Sequence, residues 1–235
     1  MKTIGLIGGM SWESTVEYYR IINEEINSRR GGLHSGKCLL YSVDFGEIEP
    51  FMRTNEWDKI GQALINAARV LEDGGADFIL LCSNTMHKLF EQIKDGSKLE
   101  LIHIADATAE KVLRANIQRV GLLGTRQTME EDFYKSRLEK QGVQVLTPKP
   151  KDRDIVHQII FNELCLGEIR EESKEEYKRI IEELISMGAE GIILGCTEIP
   201  LLIKQEDSKV PIFDTTYIHA MKAVEKAINI TGGTH

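Results

Sequence analysis

The chain of 235 residues carries a formal net charge of −8, with 42% hydrophobic and 28% charged residues. That is enough chain for one large domain or two modest ones with a real core, and an acidic balance without any Lys/Arg run argues against nucleic acid as a partner. No apolar stretch approaches the roughly 20 residues needed to cross a bilayer, so no membrane partner is expected.

In chain order, "MKTIGLIGGMSWEST" opens with a Lys before a short apolar run. The run passes into a glycine turn and reads as a first strand, not a signal peptide. Helical spacing follows over "STVEYYRIINEEINSRR", with Ser14 or Ser11 as N-cap and Gly31–Gly32 as the stop. Next come β-rich runs "CLLYSVDF", "ADFILLC" and "LELIHIA", with a helix over "EWDKIGQALINAARVLEDG" between the first two. The second half supplies the strands "RVGLLG", "VQVLTP", "EGIILGC" and "VPIFDT" and helices over "TMEEDFYKSRLEKQG" and "SKEEYKRIIEELISMG". Gly74, Gly142 and Gly188 fall just past the last turns of three of these helices, where a left-handed residue is expected.

The two halves read alike. "TIGLIGGMSWEST" parallels "RVGLLGTRQTMEE", and "HIADATAEKVLRA" parallels "IFDTTYIHAMKAVEKA". Gly5 and Gly121 are 116 positions apart, Gly75 and Gly188 113, and Cys82 and Cys196 114. The halves therefore match as a structural repeat with a one-residue slip. A period this long means two lobes, since solenoid repeats run at about 20–50 residues. The expected fold is α/β: two similar lobes, each a mainly parallel sheet flanked by helices, related by approximate pseudo-two-fold symmetry. The first lobe is expected over 1–105 with 209–235, the second over 106–208.

"GADFILLCSNTMH" and "GAEGIILGCTEIP" each end an apolar strand in a thiol. Ligands of open parallel sheets bind beyond the carboxyl ends of the strands. Helix N-termini there bind carboxylates and lower thiol pKa. Ser83, Asn84 and Thr85 follow the first thiol and Thr197 the second, offering uncharged donors to an anion. If the strand ends face each other across a cleft, a small molecule meets one thiol on each side. A base on one face of a carbon and an acid on the other invert a stereocentre. Oxyanion-type donors would stabilise the carbanion. No cofactor motif offers an electron sink, and the four cysteines lack the close spacing of structural zinc or a disulfide scaffold, which points to a reducing cytoplasm.

"GLIGGMSWEST", "CSNTMH", "TRQTMEEDFY" and "GCTEI" resemble the cofactor-independent aspartate/glutamate racemase family over essentially the whole chain. The resemblance implies a two-lobed α/β fold, a homodimer, a small amino-acid substrate, and two-thiol proton transfer without pyridoxal phosphate, other cofactor or metal. It places Cys82 and Cys196 at the catalytic positions and Asn84, Thr85 and Thr197 on the substrate carboxylate. The Met10–Ser11 turn and Thr125 would line the same cleft. In aspartate-type members basic residues from both lobes hold the side-chain carboxylate; Arg53, beside Met52, is the candidate in the first lobe. The matching stretch of the second, "IIFNELCLGEIR", departs from that pattern with Glu163 and Glu168, and Arg170 at its end. Glutamate-type members carry His after the second Cys-Thr pair, where this chain has Glu198. Aspartate is therefore the expected substrate, with broad-specificity or glutamate racemisation as alternatives.

Blander readings stand beside these. Cys38 and Cys165 read as small apolar fillers. Glu198 could shape the pocket, accept a hydrogen bond or cap its own helix. His87 reads as a partly exposed structural residue early in a helix, and His103 and His219 as packing residues. A hydrolase or isomerase with a covalent cysteine nucleophile would need a histidine base, and His87 is the one on offer. A non-catalytic ligand-binding protein could use the same cleft.

Overall fold

The computed structural model describes residues 1–228. The described chain divides into two compact units: Met1–His103 together with residues 219–228, and Ile104–Ile218. The first contains β1 (Ile4–Gly8), α1 (Trp12–Arg30), β2 (Cys38–Ser42), α2 (Phe45–Arg53), α3 (Trp57–Asp73), β3 (Phe78–Leu81), α4 (Phe90–Gly96) and β4 (Glu100–Ile102). Then follow α5 (Ile104–Arg114), β5 (Arg119–Gly124), α6 (Arg126–Glu130), α7 (Asp132–Lys140), β6 (Gln144–Leu146) and α8 (Pro150–Asn162). The chain continues through α9 (Glu171–Ser186), β7 (Gly191–Gly195), α10 (Ile199–Leu202), β8 (Ile212–Asp214) and α11 (Thr215–Ala227).

Both sheets are parallel, four-stranded and identically ordered, β2-β1-β3-β4 and β6-β5-β7-β8. Alternation along each strand sends side chains to two helical layers. In the first unit Ile7, Ile79 and Leu81 meet Ile60, Leu64 and Ile93 on one face. Ile4, Leu6, Phe78 and Leu80 meet Tyr18, Ile22 and Ile26 of α1 and Ala220, Ala223 and Val224 of α11 on the other. In the second, Leu123, Ile192 and Leu194 pack on α8 and α9 through Val156, Ile160, Tyr177 and Ile181. Val120, Leu122 and Ile193 pack on α5 and α7 through Ala105, Ala109, Tyr134 and Leu138. Each fully buried Ile, Leu or Val contributes about 1.5–3 kcal/mol.

The expected α/β fold is present, with several local departures. β8 pairs in parallel with β7 through Ile193↔Phe213, so it belongs to the second sheet and not to a first lobe resuming at residue 209. The chain returns to the first unit inside α11, at His219. The segment "HIADAT" turns helical at Ile104, ahead of Asp106, and α5 packs in the second unit. "TMEEDFYKSRLEKQG" forms two helices, because Glu131 adopts extended backbone between α6 and α7. Past α3 the left-handed residue is Gly75 (φ +87°), whereas Gly74 remains helical at φ −72°. Ser11 is the N-cap of α1, and Gly31 closes that helix at φ +71°.

Candidate active site

Parallel strands align their carboxyl ends on one edge of each sheet, and the candidate residues collect there. In the first unit β1 leaves through Gly9, which takes φ +90°. A Cβ at Gly9 would collide with the Val43 carbonyl, so the turn requires glycine. The turn is tied to α1 by Thr15: its hydroxyl accepts from Gly9 N at 2.9 Å and donates to Ser11 O at 2.8 Å. Cys82 follows β3 directly, and its N–H donates to Ile7 O at 2.9 Å, which sets it beside the last residues of β1. Met10, Ser11, Ser83, Asn84 and Thr85 are all buried at this edge.

The Cys82 side chain is 0% exposed and joins the apolar layer of Tyr18 and Phe78. Burial raises its thiol pKa well above the ordinary value. The expected depression by a helix N-terminus is not realised, since Thr85–Leu89 forms only a short 3-10 turn ahead of α4. His87 in that turn is buried, not partly exposed, and its Nδ1 lies 2.7 Å from Ser83 O. It neighbours His103, with ring centroids 4.5 Å apart, and His219, at 5.8 Å.

In the second unit β5 ends at Gly124, and Thr125 caps α6 with its hydroxyl accepting from Thr128 N at 3.4 Å. β5 and β7 approach closely here; a Cβ at Gly124 would lie 2.7 Å from Gly195 O. Cys196 is 7% exposed, and its Sγ donates to Glu198 Oε2 at 2.8 Å. The Thr197 hydroxyl donates to the same carboxylate at 3.0 Å. Burial, and after it the adjacent Glu198 charge, push the Cys196 thiol pKa well above its ordinary value. Glu198 makes no side-chain cap to α10, so the thiol contact, not helix capping, describes its side chain.

Met52 is half-buried against the apolar layer of α3. Arg53 ends α2 with its side chain 79% exposed and pairs with Glu49. Arg170 pairs with Glu168 at 2.5 Å. Cys38 and Cys165 are half-buried, and burial pushes the Cys38 thiol up to about 11. Sequence reasoning passed over Glu13, Thr15 and Tyr18. The Glu13 Oε2 atom is buried and finds no hydrogen-bond donor among the described residues. The signal for these residues was their place in the first turns after a Gly-Gly strand exit, which fixes them at the carboxyl edge.

The Asp/Glu/hydantoin racemase family profile matches residues 7–223. The chain belongs to this family. By family it is therefore a racemase, an isomerase acting on small amino-acid substrates. The chain is similar to the crystal structure of a candidate Asp/Glu racemase from Yersinia pestis, at 52% identity and TM-score 0.90, over 97% of this chain and all of that one. It is also similar to an aspartate racemase homologue from Pyrococcus horikoshii OT3, at 39% identity and TM-score 0.83 over the same shares. The broad specificity amino-acid racemase RacX of Bacillus subtilis is 26% identical over 226 residues, 94% of this chain and 96% of its own. No helix among the described residues is long and apolar enough to cross a membrane.

Proposed function

We propose that the protein inverts the α-carbon of an acidic amino acid, aspartate foremost, by proton transfer between Cys82 and Cys196. One observation carries the reading: in each unit the strand beside the first strand of its sheet runs out into a buried thiol at the carboxyl edge. In this reading the two sulfurs address opposite faces of one bound carbon. Cys196 is the base in this direction: Glu198 Oε2 already accepts its hydrogen bond and can take its proton, which removes the carboxylate charge that otherwise holds the thiol pKa up. Its proton passes to Glu198, the thiolate takes the α-proton, and the Cys82 S–H delivers a proton to the opposite face. The enzyme is left with a Cys82 thiolate, a Cys196 thiol and a protonated Glu198, ready for the other enantiomer; the Glu198 proton returns to Cys82 by way of solvent before the same enantiomer is turned over again. Burial opposes ionisation of both thiols, and a substrate ammonium group beside them offsets that penalty electrostatically.

Glu13 is the acceptor for that ammonium group, since its buried Oε2 finds no donor among the described residues. Asn84, Thr85 and Thr197 donate to the α-carboxylate, with Ser83, Thr125 and Met10 lining the site and Met52 and Arg53 on the side of the substrate side chain. Exposed Arg53 leaves room for broader specificity. No cofactor takes part, and a reducing cytoplasm suits the free thiols. A homodimer completes the reading: Trp12, Val16 and Tyr19 stand exposed along one face of α1.

Single enantiomers of aspartate, glutamate and neutral amino acids, incubated in deuterated water, test this. Inverted product should carry α-deuterium, and Cys82→Ser or Cys196→Ser should each abolish inversion. Full activity in either variant ends the two-thiol scheme, and a covalent cysteine adduct in the mass spectrum would favour the nucleophilic alternative.

A further inference from the structure

Three of the chain's six histidines, His87, His103 and His219, lie buried together in the first unit. They come from separate stretches: the 3-10 turn after β3, the residue following β4, and α11. His103 is the last residue before the chain leaves the unit, and His219 is the first after it returns. Both crossings thus end on imidazoles packed around His87, at 4.5 and 5.8 Å between ring centroids.

The acceptors fix the tautomers. A carbonyl oxygen can only accept, so His219 Nε2–H donates to Ile102 O at 3.0 Å. In the neutral ring Nδ1 is then a lone pair, and it accepts from the Tyr18 hydroxyl at 2.9 Å. By the same logic His87 Nδ1–H donates to Ser83 O at 2.7 Å. That proton is committed to the backbone and does not serve a base. Burial first, then His87, lowers the His219 pKa to about 3, so this ring stays neutral and brings no cationic charge to Cys82. What the cluster offers is geometry.

Resting on the two-thiol reading, we propose that His87 is a positioning residue whose bond to Ser83 O, braced by His103 and His219, fixes the direction of the Cys82 thiol. Cys82 sits between two backbone anchors. On one side its own N–H donates to Ile7 O at 2.9 Å, and on the other Ser83 N donates to Leu81 O at 2.8 Å. β3 ends at Leu81, so Cys82 and Ser83 lie just past the strand, and His87 is the side chain that holds the Ser83 carbonyl there. Proton transfer at carbon is steep in distance and angle, and a displacement of about 1 Å costs on the order of 100-fold in rate.

The test compares His87→Asn, whose amide nitrogen falls near the Nδ1 position, with His87→Gln, where it falls near Nε2, and His87→Leu, which has no donor. The readouts are α-deuterium incorporation and the kcat and KM of inversion, with thermal unfolding confirming a folded chain. Expected is a kcat within about 3-fold of wild type for His87→Asn and a roughly 10- to 100-fold loss for His87→Gln and His87→Leu, with KM and the pH profile of kcat/KM little changed. Should His87→Leu fail to fold, His87→Gln against His87→Asn decides. Equal losses in Asn and Gln, unchanged kcat in both, or a pH profile moved by a unit or more would overturn the inference. Wild type that exchanges no α-proton with any amino acid overturns instead the racemisation reading beneath it.

Discussion

Acidification should weaken the first unit through His219. Its folded pKa of about 3 lies below the ordinary value of 6.5, so the fold favours the neutral ring. The unfolded chain then binds the proton that the folded chain refuses. The stabilisation is complete above pH 6.5, falls away as pH drops through the window from 6.5 to 3, and is gone below it. Between pH 8 and pH 5 this one group removes about 2 kcal/mol, and about 4 kcal/mol by pH 3. The perturbation is His219→Gln, which keeps an amide donor for Ile102 O and cannot titrate. Urea unfolding of both proteins at pH 8, 6.5 and 5, followed by circular dichroism, isolates the contribution as a difference of differences. Wild type should lose about 2 kcal/mol more than the variant over that range. Parallel pH dependences within about 0.5 kcal/mol would refute the neutral buried imidazole.

Glu198→Gln removes the acceptor for the Cys196 proton, and kcat should fall roughly 100- to 10,000-fold at neutral pH while partial activity returns as pH rises toward thiol ionisation. Steady-state rates from pH 6 to pH 10 check this. Glu13→Gln should raise KM for an amino acid about 10-fold or more yet leave binding of a dicarboxylic acid without the amino group unchanged, as read by calorimetry. Arg53→Ala breaks only an exposed pair with Glu49 and should change stability by less than about 1 kcal/mol, while KM for aspartate rises relative to a neutral amino acid. Gly9→Ala forces a Cβ against the Val43 carbonyl at φ +90° and should cost about 2–4 kcal/mol, seen as a lower melting temperature.

The strands were legible because each is an apolar run bounded by glycine or polar residues, and the repeat of "IGLIG" as "VGLLG" indicated matching sheets. Both sheets do share one strand order. The unit boundary was less legible, since "VPIFDT" pairs with β7 through contacts distant in sequence and only α11 carries the chain back. Single glycine conformations also escaped: Gly74 and Gly75 are adjacent, and local sequence does not say which one leaves the helix. At the site, thiols at strand ends could be read from the residues, but their burial could not. Burial reverses the sign of the expected pKa shift, because desolvation outweighs the weak dipole of a short turn. The Cys196–Glu198 contact needs a backbone bend that a two-residue spacing alone does not specify.

The one-residue slip between the halves has a structural meaning. Gly5 lies opposite Ile79 in the first sheet, and Gly121 opposite Ile192 in the second. Counting forward from those pairs, Cys82 corresponds to Gly195, and Cys196 corresponds to Ser83. A shift of one residue on extended chain turns a side chain to the opposite face. Accordingly Cys82 packs with the layer of α1 and α11, whereas Cys196 packs with that of α8 and α9. The position of the thiol in one unit is held by a serine in the other, and Glu198 falls where the first unit has Thr85. Moving the first thiol to the topologically matching place, with Cys82→Ser and Ser83→Cys combined, should therefore not rescue the Cys82→Ser variant. The sulfur would point to the wrong layer, and kcat should stay at least about 100-fold below wild type in the deuterium assay. Activity restored by that swap would mean that position along the strand, not the face it presents, governs the thiol, and the asymmetric arrangement argued for Cys82 would fall.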